Sequence, residues 1–245
     1  MRTPALFLLL IISITGNAQK LPNIQQVSLR SPTNVTVDGK VNEWGNKWQA
    51  YNKATQLYYN LANDADNLYL AVRCEDIKVI AKILAGGLCL NINTENKRID
   101  NGPSITFPNT KSAWGPTNQG VSKFNFKVMD SITVKVALKD VKFFRLNNFE
   151  NLPDTIVSIY NDLGIQAQMR YYNNALACEI LIPTKLIGLA DFSGTFAYQI
   201  KLPGVNTGFP AGSNPNPDRP ANHPLNILYA LNASTDFWGE YTLTK

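Results

Sequence analysis

The chain has 245 residues, 44% of them hydrophobic, which is enough apolar material for one large core. Its formal charge of +5 is spread thinly, with no basic run of the kind that tracks a nucleic-acid backbone. One histidine and three cysteines limit imidazole chemistry and allow at most one disulfide.

Arg2, the apolar run Ala5–Ile14 and the small residues Gly16-Asn17-Ala18 read as a signal peptide, residues 1–18, with the mature chain starting at Gln19. The apolar run is shorter than the roughly 20 residues that a spanning helix needs. No later stretch is apolar enough to cross a membrane, so the expected location is secreted or periplasmic. Loss of Arg2 takes the charge from +5 to +4. Residues 19–245 read as a single domain.

Downstream, "NVTVDG" reads as a short strand entering a turn at Asp38-Gly39. In "VDGKVNEWGNKW", Trp44 and Trp48 stand four residues apart, either as an exposed stacking platform or as a plug that closes the fold. "QLYYNLANDADNLYLAVRCED" is two β-rich runs around an Asn/Asp cluster, which predicts a hairpin. "DIKVIAKILAGG" changes to helical spacing, with Asp76 as the N-cap and Gly86-Gly87 as the stop. "GLCLNINT" returns to strand. "DSITVKVALKD" alternates and predicts a strand, with a short helix possible over 139–148. "TIVSIYNDLGIQAQMRYYNNALACEILIP" predicts two or three strands, the last two joined at Asn173-Asn174. "GTFAYQIKL", "ILYALNA" and "TDFWGEYTLTK" complete the strands. The Pro-, Asn- and Gly-rich segment 203–224 predicts a flexible loop. The sum is a mainly β fold: an antiparallel β-sandwich of about ten or more strands with one short helix.

The order "VDGKVNEW", "LYYNLANDADNLYLAVRCED", "ALACEILIPTKLIG" resembles family 9 carbohydrate-binding modules, whose superfamily also includes DOMON-like haem- and sugar-binding domains. The matching positions are Asp38, Gly39 and Trp44; Asn67, Leu68 and Tyr69; Ile182 and Pro183. "AKILAGGLCLNIN", Phe107-Pro108, the insertion at 205–224 and the aromatic last strand are similar to exported proteins of the Bacteroidetes type. The resemblance implies a secreted β-sandwich in which Trp44 closes the fold and Trp48 packs beside it. A fold shared with sugar binders does not by itself specify function.

Catalysis is disfavoured. His223 lies in the Pro-rich segment without a nucleophile motif, and most acids sit at turns. Haem ligation would draw on Met129, Met169 and His223, and both methionines fit core strand positions better. "NDADN" offers the oxygens of Asn63, Asp64 and Asp66 to a calcium ion, but the same residues are tight-turn chemistry, which takes precedence. No cofactor is otherwise expected. Cys74 and Cys178 are in phase with core positions and Cys89 is not, so buried free thiols are favoured over a Cys74–Cys178 bridge.

Sugar binding needs exposed rings beside amides or carboxylates. Trp114 with Gln119, then Phe209 and Tyr172, are the candidates, and Trp238 is assigned to packing. The expected function is a non-catalytic carbohydrate-binding or surface-recognition module with a polysaccharide or glycan partner. The alternative is a structural or interaction protein of the cell envelope.

Overall fold

The computed structural model describes residues 20–45, 47–109, 131–204, 218 and 224–245. Two six-stranded sheets pack face to face as a β-sandwich. Sheet I runs β1-β3-β4-β10-β9, with β2 also on β3: β1 (Leu29–Arg30), β2 (Ala50–Asn52), β3 (Leu57–Asn63), β4 (Asn67–Cys74), β9 (Gln166–Tyr172) and β10 (Ala175–Pro183). Sheet II runs β12-β11-β5-β6-β7-β8: β5 (Leu88–Asn93), β6 (Ser104–Phe107), β7 (Phe143–Asn147), β8 (Thr155–Ser158), β11 (Thr195–Leu202) and β12 (Thr235–Thr242). Among the described residues three α-helices accompany them: α1 (Ile77–Gly86), α2 (Ser131–Leu138) and α3 (Pro224–Asn232).

Local chemistry explains the elements that the sequence predicts well. β3 and β4 pair from Tyr58↔Arg73 to Asn63↔Leu68, because Asp64 closes the turn by accepting from the backbone N–H of Asp66 and Asn67. Asn173 and Asn174 both have positive φ, the type I′ geometry that matches strand twist, and join β9 to β10. Asp76 caps α1 by accepting from Lys78 N and Val79 N, and the helix ends at Gly86-Gly87.

Alternation supplies the core. Leu57, Tyr59 and Leu61 of β3 and Leu68, Leu70, Val72 and Cys74 of β4 face Leu88, Leu90, Ile92, Tyr198 and Ile200 across the sandwich. The hydroxyls of Tyr59 and Tyr198 lie 3.0 Å apart inside it, and Gln25 N donates to that of Tyr59. Cys74 and Cys178 are both free and buried in this core, and burial pushes the Cys74 thiol up to about 12. Met169 is buried on β9.

Several sequence expectations need correction. "DSITVKVALKD" forms α2 instead of a strand. Its Ile-Val-Val alternation is overridden because Val134, Ala137 and Leu138, one turn apart, all reach the core, which leaves Ile132 70% exposed. "ILYALNA" forms most of α3, which begins at Pro224, where the missing N–H is harmless, and packs against α1. The possible helix over 139–148 is β7. "NVTVDG" forms no strand, so Asp38-Gly39 does not follow one; only the two-residue β1 precedes it. Among the described residues the sandwich therefore carries three α-helices where one helix was expected.

Candidate functional site

The two outer faces of the sandwich are built differently. On sheet I, β4 and β10 are buried on both sides, because the segment from Leu29 to Trp48 lies across Ala62, Tyr69, Ala71, Ala177 and Leu181. Val41 and Trp44 bury into that surface, and Trp48 packs half-buried at its margin.

Glu179, on the outer face of β10, holds this cover in place. Its Oε1 accepts from Trp44 Nε1 at 2.9 Å, and its Oε2 from Gly39 N at 2.9 Å and Asp38 N at 3.2 Å. The residue is only 2% exposed. Burial pushes its carboxyl above the ordinary value, against the pull of those three donors. Gly39 has φ +78, and a Cβ there would lie 2.9 Å from the Met169 carbonyl carbon, so only glycine lets the chain approach β9 so closely. Trp44 therefore is a plug, seated on the back of one sheet and outside the inter-sheet core.

Sheet II is more open. Trp238 projects from the outer face of β12 and is half-buried. Its neighbours on that strand, Phe237 and Tyr241, take the core positions. Across the strands Trp238 starts the register row Trp238–Gln199–Asn91–Ser104. Gln199 Nε2 donates to Asp236 Oδ2 at 2.7 Å. Gln199 Oε1 and Asn91 Oδ1 are buried with no donor, on side chains 5% and 3% exposed.

The β5–β6 connection folds over this row. Asn93 anchors it, donating to Ile99 O and Asn101 Oδ1 and accepting from Lys97 N. Gly102 lies so close that a Cβ would meet Ile92 O at 1.8 Å. Arg98 approaches Glu240 at 3.8 Å and Lys201 approaches Asp100 at 3.3 Å. Those ion pairs bracket the Trp238 row, since Glu240 and Asp236 flank Trp238 on β12 and Asp236 pairs with Lys201. The indole N–H of Trp238 has no partner among the described residues. A half-exposed ring beside unpartnered acceptors and charged side chains can stack on an apolar face and bond hydroxyl groups around it.

Trp114, Gln119 and Phe209 lie outside the described residues, as do His223, Met129 and the leader. Tyr172 belongs to the outer face of sheet I, where its hydroxyl donates to the Lys40 carbonyl, and it is not near Trp238.

The side-chain oxygens of Asn63 and Asp64 and the backbone carbonyl of Asp66 are hydrogen-bonded within the fold. Asp64 Oδ2 accepts from Tyr69 OH at 2.6 Å while its Oδ1 closes the turn. Burial pushes the Asp64 carboxyl up, but these hydrogen bonds outweigh it and leave it below the ordinary value. Asn63 Oδ1 accepts from Thr244 N, tying down the C-terminus, and the Asp66 carbonyl accepts from Thr184 N.

Sequence reasoning did not single out Gln199, Asn91 or Glu179. A glutamate inside the apolar run "ALACEILI" and amides at alternate positions of "LCLNIN" are the signals that point to them.

No family model and no curated protein matches the chain. Among solved structures, a family 9 carbohydrate-binding module from Caldicellulosiruptor kristjanssonii in complex with glucose aligns over 89% of this chain and 95% of its own. The TM-score is 0.41 and the identity 10%. The cellotriose complex covers 89% and 92%, with a TM-score of 0.39 and 12% identity. Likeness at that level leaves the site to be read from this chain's own residues.

Proposed function

We propose that the chain is a secreted, non-catalytic carbohydrate-binding module whose binding face is the outer surface of sheet II at Trp238. The observation behind this reading is a half-exposed indole in register with two buried amide oxygens that lack donors. Sugar hydroxyls are donors, and a pyranose offers an apolar face to a ring. Reaching Asn91 requires the β5–β6 connection to shift, which its exposed ion pairs permit, since such pairs are weak.

The leader supports export, and N-terminal sequencing of the exported protein should begin at Gln19. Pull-downs on insoluble polysaccharides and calorimetry with glucose and cellotriose test binding. Retention by the wild type and loss in Trp238→Ala, with unchanged secondary structure, is the expected result. Equal retention by both proteins removes Trp238 from the site, and Trp114→Ala in the same assay tests the other tryptophan. Release of reducing sugar from any bound polysaccharide would contradict the non-catalytic assignment.

A further inference from the structure

The cover on sheet I stops short of the β2 edge. There the register row Tyr51–Tyr58–Arg73 runs along the outer face from β2 to β4, before Ala177 of β10 passes under the cover. Tyr51 and Tyr58 are half-buried with ring centroids 4.6 Å apart, and Trp48 sits 6.3 Å from Tyr58. Both ring contacts are tilted, so the rings form an open corner and not a closed stack.

The backbone beside Trp48 is fixed from below: Gln49 N donates to Asn60 Oδ1 at 2.7 Å, and Asn60 Nδ2 donates to Lys47 O at 3.1 Å. Arg73 holds Glu75 at 3.2 Å and keeps its other guanidinium donors free among the described residues. Tyr172 stands at the far side, opposite Ala175, packed against the cover. Glu43 Oε2 is buried with no donor. The indole N–H of Trp48 and the hydroxyls of Tyr51 and Tyr58 are also without partners among the described residues. From β3 to β9 is three strand spacings, about 14 Å.

These groups form a second constellation that the fold does not consume: three rings set as a corner with free donors beside them. We infer that this face is a second glycan site, on the opposite side of the sandwich from Trp238, which takes a neutral oligosaccharide. The charges support that class of ligand. Charges of both signs occur there, with Lys40 paired to Asp38 and Arg73 to Glu75, so the face presents no single-sign patch with which to select a polyanion. Pyranose rings stack on Trp48 and Tyr58, and hydroxyls accept from Arg73 and the indole N–H.

Two-site binding is tested by calorimetry and by following tryptophan indole N–H resonances, with cellotetraose, xylotetraose and mannotetraose as neutral probes and tetragalacturonate as the acidic one. A neutral probe should shift the Trp48 resonance in the wild type and equally in Trp238→Ala, so the result stands or falls separately from the sheet II site. Tyr51→Ala/Tyr58→Ala should weaken that event about tenfold or more. Arg73→Gln, a surface change that leaves the packing intact, should weaken it in the same direction. An unmoved Trp48 resonance with every neutral probe overturns the proposal. So does a response to tetragalacturonate alone, or unchanged affinity in both variants.

Discussion

Trp44, on the segment that covers sheet I, and Trp238, on the outer face of β12 in sheet II, lie on opposite faces of the sandwich, yet one is a buried plug and the other a half-exposed ring. The difference is what lies on top. Sheet I receives the Leu29–Trp48 segment, and an indole delivered by that segment meets an apolar surface with a carboxylate ready to accept its N–H. Sheet II receives the β5–β6 connection, which is polar, ends in ion pairs and reaches Trp238 only at its flanks. A tryptophan's role in this sandwich is therefore set by its cover more than by its own strand.

The sharpest way to break the comparison is to truncate both rings. Trp44→Ala leaves a cavity and strips Glu179 of its side-chain donor, and should destabilise the protein by about 3–5 kcal/mol in chemical denaturation. Trp238→Ala, measured alongside, should stay within about 1 kcal/mol of wild type. Similar losses at both positions would mean that the two faces are equally structural.

Next in size is Gly39→Ala. It combines a positive φ with a clash against the β9 backbone, and should cost about 2 kcal/mol without touching a side-chain contact. A neutral outcome would show that the cover can lift locally.

A smaller effect is expected in the pH dependence. Burial raises the Glu179 carboxyl above its ordinary 4.5, so the folded state holds that proton more tightly than the unfolded chain. Its contribution to stability is complete below pH 4.5 and is lost as pH rises through the raised value. Asp38 and Asp64, which are lowered, contribute with the opposite sign, lost as pH falls below 3.8, so the windows do not overlap. Carbon-detected NMR titration should place the Glu179 midpoint above 4.5, and Glu179→Gln should flatten the slope above it. A midpoint at or below that value would show that the three donors outweigh burial.

Much of the fold was legible in the sequence. The β3–β4 and β9–β10 hairpins are written in Asn and Asp at their turns, and α1 in its cap and stop. Cys74 and Cys178 follow the phase of their strands into the core. The failures share a cause: "SITVKVAL" and "ILYALN" are short apolar runs whose periodicity fits either a strand or a buried helix face. The site was less legible. Trp238 alternates with Phe237 and Tyr241 in a way that marks one face as inner without saying which, and nothing local pairs Glu179 with Trp44, 135 positions away.

The sequence by itself determined the turns, the caps and the side-chain phase of most strands, because these depend on residues within a few positions of one another. Only the tertiary structure decided which face of each sheet is covered, since that depends on where distant segments come to rest. The Leu29–Trp48 segment made Trp44 part of the fold, and its stopping short of the β2 edge left Trp48, Tyr51 and Tyr58 at the surface.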